Sequence, residues 1–172
     1  MSRWNINGCC KLKVMKKLVV LLFVLGSFNS FSQKVNLDLD SIRFYMLEFV
    51  NEFRTDLGFH ELQADSFCNQ AAQNHSFYMA KNGGCSHSED SRKEGFTGRK
   101  PLDRGVYGEN VQMNTFFYGT SSKVIAKVLF EAWKASPPHN DGMKSGQHFG
   151  LGVEVTLEMD DRFAVAATQT FK

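Results

Sequence analysis

Several signatures of familiar chemistry are missing from this chain of 172 residues. No H-E-x-x-H, C-x-x-C or EF-hand loop occurs, so no metal site is built from near neighbours in sequence. There is no G-x-S-x-G turn to carry a serine nucleophile. The longest apolar run, Leu18 to Leu25, is too short to cross the roughly 30 Å hydrocarbon layer as a permanent helix, so an integral membrane protein is not expected. Internal repeats and low-complexity stretches are absent as well, so solenoids and flexible arrays drop out.

Near the start of the chain, from Met15, stands "MKKLVVLLFVLGSFNSFSQ". Two lysines, an apolar run and then small and polar residues follow the plan of a secretory signal peptide, with cleavage near Ser32/Gln33. The expected organisation is a signal peptide over 1–32, with 1–14 as an upstream extension, and one domain over 33–172. No cysteine closely follows the apolar run, so no lipid-attachment signal accompanies it. Secretion to the periplasm or the cell exterior is the expected localisation.

The leader also distorts the charge. Five of the 20 Lys and Arg lie at or before Lys17 and none of the 18 Asp and Glu do, leaving 15 against 18, a net −3 instead of +2. A nucleic-acid partner is not suggested by that balance. The remaining length, about 140 residues, suits a single domain with a real core, and a monomer is expected. Of the four cysteines, Cys9 and Cys10 belong to the leader. Cys68 and Cys85 remain, and two readings stand side by side: a disulfide in an oxidising compartment, or a buried helix thiol and an unrelated loop thiol.

Along the domain, Ile42, Tyr45, Met46, Phe49, Val50, Phe53 and Leu57 recur at helical spacing, after Asp40 or Ser41 and before Gly58. A second helix follows Asp65 or Ser66, with an inward stripe of Phe67, Ala71, His75, Tyr78 and Met79, and stops at Gly83-Gly84. The segment from Cys85 to Arg104 is a long polar loop in which Arg92, Lys93, Arg99, Lys100 and Arg104 alternate with acids, the pattern of a solvated surface. A third helix is expected to bury Val124, Val128, Leu129, Ala132 and Trp133 and to end at Pro137-Pro138. "HFGLGVEVTL" and "RFAVAATQTF" read as a strand pair, and "VYGENVQM" as a further strand interrupted by Gly108-Glu109-Asn110. The class is α+β: a small antiparallel sheet flanked by helices.

Taken in order, "AAQNHSFYMA", "CSHSED", "GENVQM", "AWKASPPHNDGM", "GLGVEV" and "ATQTF" resemble the CAP superfamily of cysteine-rich secretory, antigen 5 and pathogenesis-related proteins. The compact bacterial SCP-like extracellular branch is the nearer likeness, from about residue 42 to Phe171. The resemblance implies an α-β-α sandwich and a cleft of histidines and acids. It carries over His87, Glu109 and His148, with His139 as a branch-specific addition. Ser136 stands where the family places its second acidic residue.

Those residue types point to two outcomes. His87, Glu109 and His148 are the expected metal ligands for Zn²⁺ or another divalent cation with an open water position; the alternative is a hydrogen-bonded cluster without metal. Asn110 is expected to brace Glu109, His75 to be a satisfied histidine on the buried face of the second helix, and His60 to lie on the surface. Cys85 and His87 are two residues apart, a spacing that does not readily give the contact a Cys–His nucleophile needs. The leading expectation is a binding protein for a divalent cation, a small or lipid ligand, or a cell-envelope component. The alternatives are a metal-assisted hydrolase working through Glu109 and His87, and a structural or adhesive envelope module.

Overall fold

The computed structural model describes residues 35–89 and 105–172. The leader, with its cleavage point, and most of the charged loop containing Arg92, Lys93, Arg99, Lys100 and Arg104 lie outside the described residues.

Helix α1 spans Leu39–Asp56 and is capped by Asp38, whose carboxylate accepts from Ser41 N at 3.1 Å and Ser41 Oγ at 2.6 Å. It buries Ile42, Met46, Val50 and Arg54, a strict four-residue stripe. Tyr45, Phe49 and Phe53 are only partly covered and Leu57 is exposed, so the buried stripe is narrower than the sequence pattern suggests. After the two-residue strand β1 (Gln63–Ala64), helix α2 runs Ser66–Asn82. Asp65 caps it through Cys68 N, and Gly83 ends it at φ 69°, a left-handed turn that favours glycine. Strand β2 is Gly108–Phe117, α3 is Ser122–Ala135, α4 is Pro137–Met143, β3 is His148–Glu158 and β4 is Arg162–Phe171.

The four strands lie in the order β1-β3-β4-β2. Pairing is antiparallel for β3 with β4 and for β4 with β2, but β1 runs parallel to β3, so the sheet is mixed and not purely antiparallel. Pro137 and Pro138 end α3 as expected and then open α4, because proline at the first helical positions has no lost amide bond to regret. Within α3 the buried residues are Ile125, Ala126, Leu129, Phe130 and Trp133, whereas Val124 and Val128 are exposed: the face is rotated by about one residue from the expected one.

The two faces of the sheet are packed differently. On one, α1 and α3 enclose a core of large residues that includes Phe149, Leu151, Phe163, Val165 and Phe171. On the other, α2 lies almost on the backbone of β3. A Cβ at Gly150 would overlap the backbone of Cys68, and one at Gly152 that of Ala72, so only glycine allows this approach. The helix then supplies β3 with hydrogen bonds that its two-residue neighbour β1 does not reach. Asn69 accepts from Leu151 N at 2.9 Å, Gln73 accepts from Val153 N at 3.1 Å and donates to Val153 O at 3.2 Å, and Arg43 of α1 donates to Leu151 O at 2.8 Å. These side chains stand in for a missing strand and close that edge of the sheet.

Arg54 is buried yet no carboxylate partners its charge among these contacts. Its guanidinium donates to the carbonyls of His60 (2.7 Å), Met143 (2.8 Å), Ser145 (3.1 Å) and Gly146 (3.3 Å), and burial lowers its pKa. It thereby ties the end of α1 to the turn before β1 and to the turn that leads into β3.

Candidate functional site

Gly108-Glu109-Asn110 does not interrupt a strand; it begins one. The three pair in regular antiparallel register with Phe171, Thr170 and Gln169. Successive strand residues point to opposite faces, and this alternation sends Glu109 toward α2 and Asn110 toward α4. Asn110 is buried, and its carboxamide donates to His139 O at 2.9 Å and to Gln169 Oε1 at 3.0 Å. Gly142 of α4 makes room for it, since a Cβ there would come within 2.7 Å of Asn110 Oδ1. Asn110 thus ties the start of β2 to the helix that carries His139, on the face opposite Glu109.

Across the strand, the Glu109 carboxylate is fully buried between two imidazoles. Its Oε1 lies 3.1 Å from His87 Nδ1 and 3.6 Å from His75 Nε2. His75, entirely buried on α2, stacks against Tyr78 with ring centroids 5.8 Å apart and planes 9° apart. Its Nε2 meets Ser86 O at 2.7 Å and its Nδ1 meets Glu89 Oε1 at 3.2 Å. His87 differs: its side chain is 51% exposed. One face of the site is thus water-accessible imidazole, and its backing is a buried carboxylate, the arrangement that fixes which ring nitrogen carries the proton. With Nδ1 donating to Glu109, the lone pair of a neutral His87 sits on Nε2.

His139 approaches from α4. Burial lowers its pKa and the neighbouring His87 pushes the same way, so the neutral, lone-pair-bearing form is favoured. Cys85 is exposed, yet desolvation and the charge of Glu109 raise its pKa, which works against the thiolate that nucleophilic chemistry would need. Cys68 is buried on the inner face of α2, and burial raises its pKa to about 11. Both are free thiols, so the disulfide reading is not the state of this structure.

His148 does not join this group. It begins β3, paired in register with Gln63 of β1, while Glu109 lies on the edge strand β2 with β4 between the two strands. The intervening row is filled: Thr170, the register partner of Glu109, is buried and donates to Cys68 O at 2.9 Å, where α2 seats on Gly150. His148 instead lines a separate shallow cleft with His60, Glu61, Gln63 and Gln147. The three-ligand set His87, Glu109, His148 is therefore not assembled, and among the described residues no three His, Cys, Asp or Glu side chains are grouped to hold a metal ion. His87 and His139 are neighbouring imidazoles, and the Glu109 carboxylate partners His87.

Glu89 was not anticipated from the sequence, where it sits in a polar run that reads as solvated loop. The one clue was His75: an imidazole on a buried helical face requires polar partners from elsewhere in the chain.

The family profile described as CAP, the cysteine-rich secretory protein family, matches residues 47–171. The chain belongs to this family. Among solved structures, the CAP domain is similar to an outer surface protein of Borrelia burgdorferi at 15% identity and a TM-score of 0.52, covering 81% of this chain and 98% of that one. It is also similar to an extracellular SCP-domain protein of Bacillus anthracis, at 19% identity and TM-score 0.48, covering 82% and 45%. A cysteine-rich secretory protein of Staphylococcus aureus gives 17%, 0.42, 81% and 41%. The chain spans less than half the length of these last two. No curated protein matches the chain. At such identities the Borrelia likeness carries the fold alone, an α+β sandwich. No helix among the described residues is long and apolar enough to cross a membrane.

Proposed function

We propose that this CAP domain is exported and acts by binding, with His87 as the contact residue, Glu109 as its orienting carboxylate and His139 beside it. The observation that carries the reading is the 3.1 Å contact between a half-exposed imidazole and a fully buried carboxylate. Burying a carboxylate is costly unless it is paired, and here the pairing presents an oriented imidazole to solvent. Export is supported by the leader-like sequence at Met15, and the Borrelia relative is described as an outer surface protein.

The ligand class is a divalent cation such as Zn²⁺, held by His87 and His139. A cation on two imidazoles binds weakly and keeps positions open, which supplies a positive centre for an anionic or carbonyl group of a larger guest, a lipid headgroup or an envelope component included. The test is calorimetric titration of chelator-stripped residues 33–172 with Zn²⁺. Heat that disappears in His87→Ala and persists in His148→Ala is expected. Absence of heat in the wild type, or its loss in His148→Ala, would reject the assignment.

A second reading rests on the same contact. A carboxylate-backed imidazole is also how a general base is held, so His87 can serve a hydrolase acting on peptide or envelope material. Turnover abolished by Glu109→Gln supports it; turnover that survives this change removes it.

A further inference from the structure

We infer that His75 is a positioning residue, the post around which the loop carrying His87 is wound. His87 sits at the tip of a turn, and His75 grips that turn on both sides: Nε2 at 2.7 Å from Ser86 O, one residue before, and Nδ1 at 3.2 Å from Glu89 Oε1, two residues after. The turn closes on itself, with Ser86 Oγ donating to Ser88 O at 3.2 Å and accepting from Ser88 N at 3.1 Å. The same His75 Nε2 lies 3.6 Å from the Glu109 oxygen that holds His87. One buried ring therefore sets both the backbone that carries His87 and the carboxylate that orients it.

A core histidine that merely fills space would not be surrounded in this way. The polar atoms at the two ring nitrogens are acceptors: a carbonyl and a carboxylate at bonding distance, and a second carboxylate just beyond. The ring is also immobilised, by full burial and by stacking on Tyr78 one helical turn later. It stands on α2, whose backbone rests on Gly150 and Gly152 and whose Ser76 donates to Gly152 O at 3.0 Å. Rigidity passes from the sheet to α2, from α2 to His75, and from His75 to the turn bearing His87.

This inference takes from the proposed function only what His87 does, and it is tested without any ligand. The variants are His75→Gln, which keeps one donor, and Glu89→Gln, which keeps the shape but not the charge. Amide hydrogen exchange is read at residues 86–89 and, as the control for global stability, at 165–170 in β4. Long-range ¹H–¹⁵N spectra report which nitrogens of His75 and His87 carry protons. The expected result is exchange at 86–89 faster by about tenfold or more in each variant, with β4 protection retained. The His87 Nδ1 signal should also shift in both variants, with the double variant no worse than the more severe single one. Exchange at 86–89 unchanged in Glu89→Gln, or rising only in step with β4, would show that His75 is a packing residue. A normal His87 signal in a folded His75→Gln would show the same. Zn²⁺ titration then separates the two claims: if these spectra change as expected while the wild type binds no Zn²⁺, the positioning stands and the binding assignment falls.

Discussion

Replacing Gly152 with alanine tests the tightest contact in the fold and, through it, the support of the site. The new methyl overlaps the backbone of Ala72 and Gln73, which are helical and have no side-chain freedom with which to yield. Either β3 bends or α2 lifts. Overpacking of this kind costs about 1–3 kcal/mol. Lifting α2 also stretches the bond from Ser76 Oγ to Gly152 O and the two that Gln73 makes with Val153. At about 1 kcal/mol each, loss of two of the three brings the total to about 3–5 kcal/mol. For a domain of this size that is a fall in Tm of about 10–15 °C. Thermal and urea unfolding followed by circular dichroism measure it, with Gly84→Ala as the control, because a Cβ at Gly84 meets nothing within 4 Å. A Gly152→Ala melting within about 3 °C of wild type would refute the reasoning. It would mean that α2 is not seated on the sheet as described and that the rigidity assigned to His75 has no foundation.

Arg54→Met keeps length and apolar bulk but leaves the carbonyls of His60, Met143, Ser145 and Gly146 without their donor. Urea unfolding should show a loss of about 3 kcal/mol or more, only partly recovered by Arg54→Lys. Burial lowers the pKa of His139, so the unfolded chain takes up this proton near 6.5 while the folded one resists it. Stability from this group is complete above pH 6.5 and is lost as pH falls through that value toward the lower folded pKa; His139→Gln should flatten that part of the unfolding profile. Maleimide labelling of the native domain should modify exposed Cys85 and spare buried Cys68, and unfolding without reductant should release the second thiol. Two thiols protected under those conditions would instead establish a disulfide.

Much of the fold was legible because its signals are local. Asp65 at an N-cap, Gly83 after the last turn and the alternation of "RFAVAATQTF" each reflect physics within a few residues. Errors arose where the deciding contact was distant. The exposure of Val124 and Val128 follows from the rotation of α3 against α1, which a mixed apolar face such as Val124, Ile125, Val128 and Leu129 leaves open. Likewise β1, two residues long, has no periodicity to detect and exists only because β3 offers it an edge.

The site divides in the same way. From the sequence alone came the family, the α+β class, and the singling out of His87, Glu109, Asn110 and His139, because ordered motif blocks and a carboxylate at the head of an apolar run are properties of the chain itself. Only the tertiary structure decided which of these meet. It joined His87 to Glu109 and set His148 apart, since strand order places β4 between β3, which His148 begins, and β2, which carries Glu109, and no local pattern encodes strand order. It also turned His75 from a residue satisfied somewhere in the core into the centre of the network, because its partners Ser86, Glu89 and Glu109 come from a loop and a strand that converge only when α2 settles on two glycines.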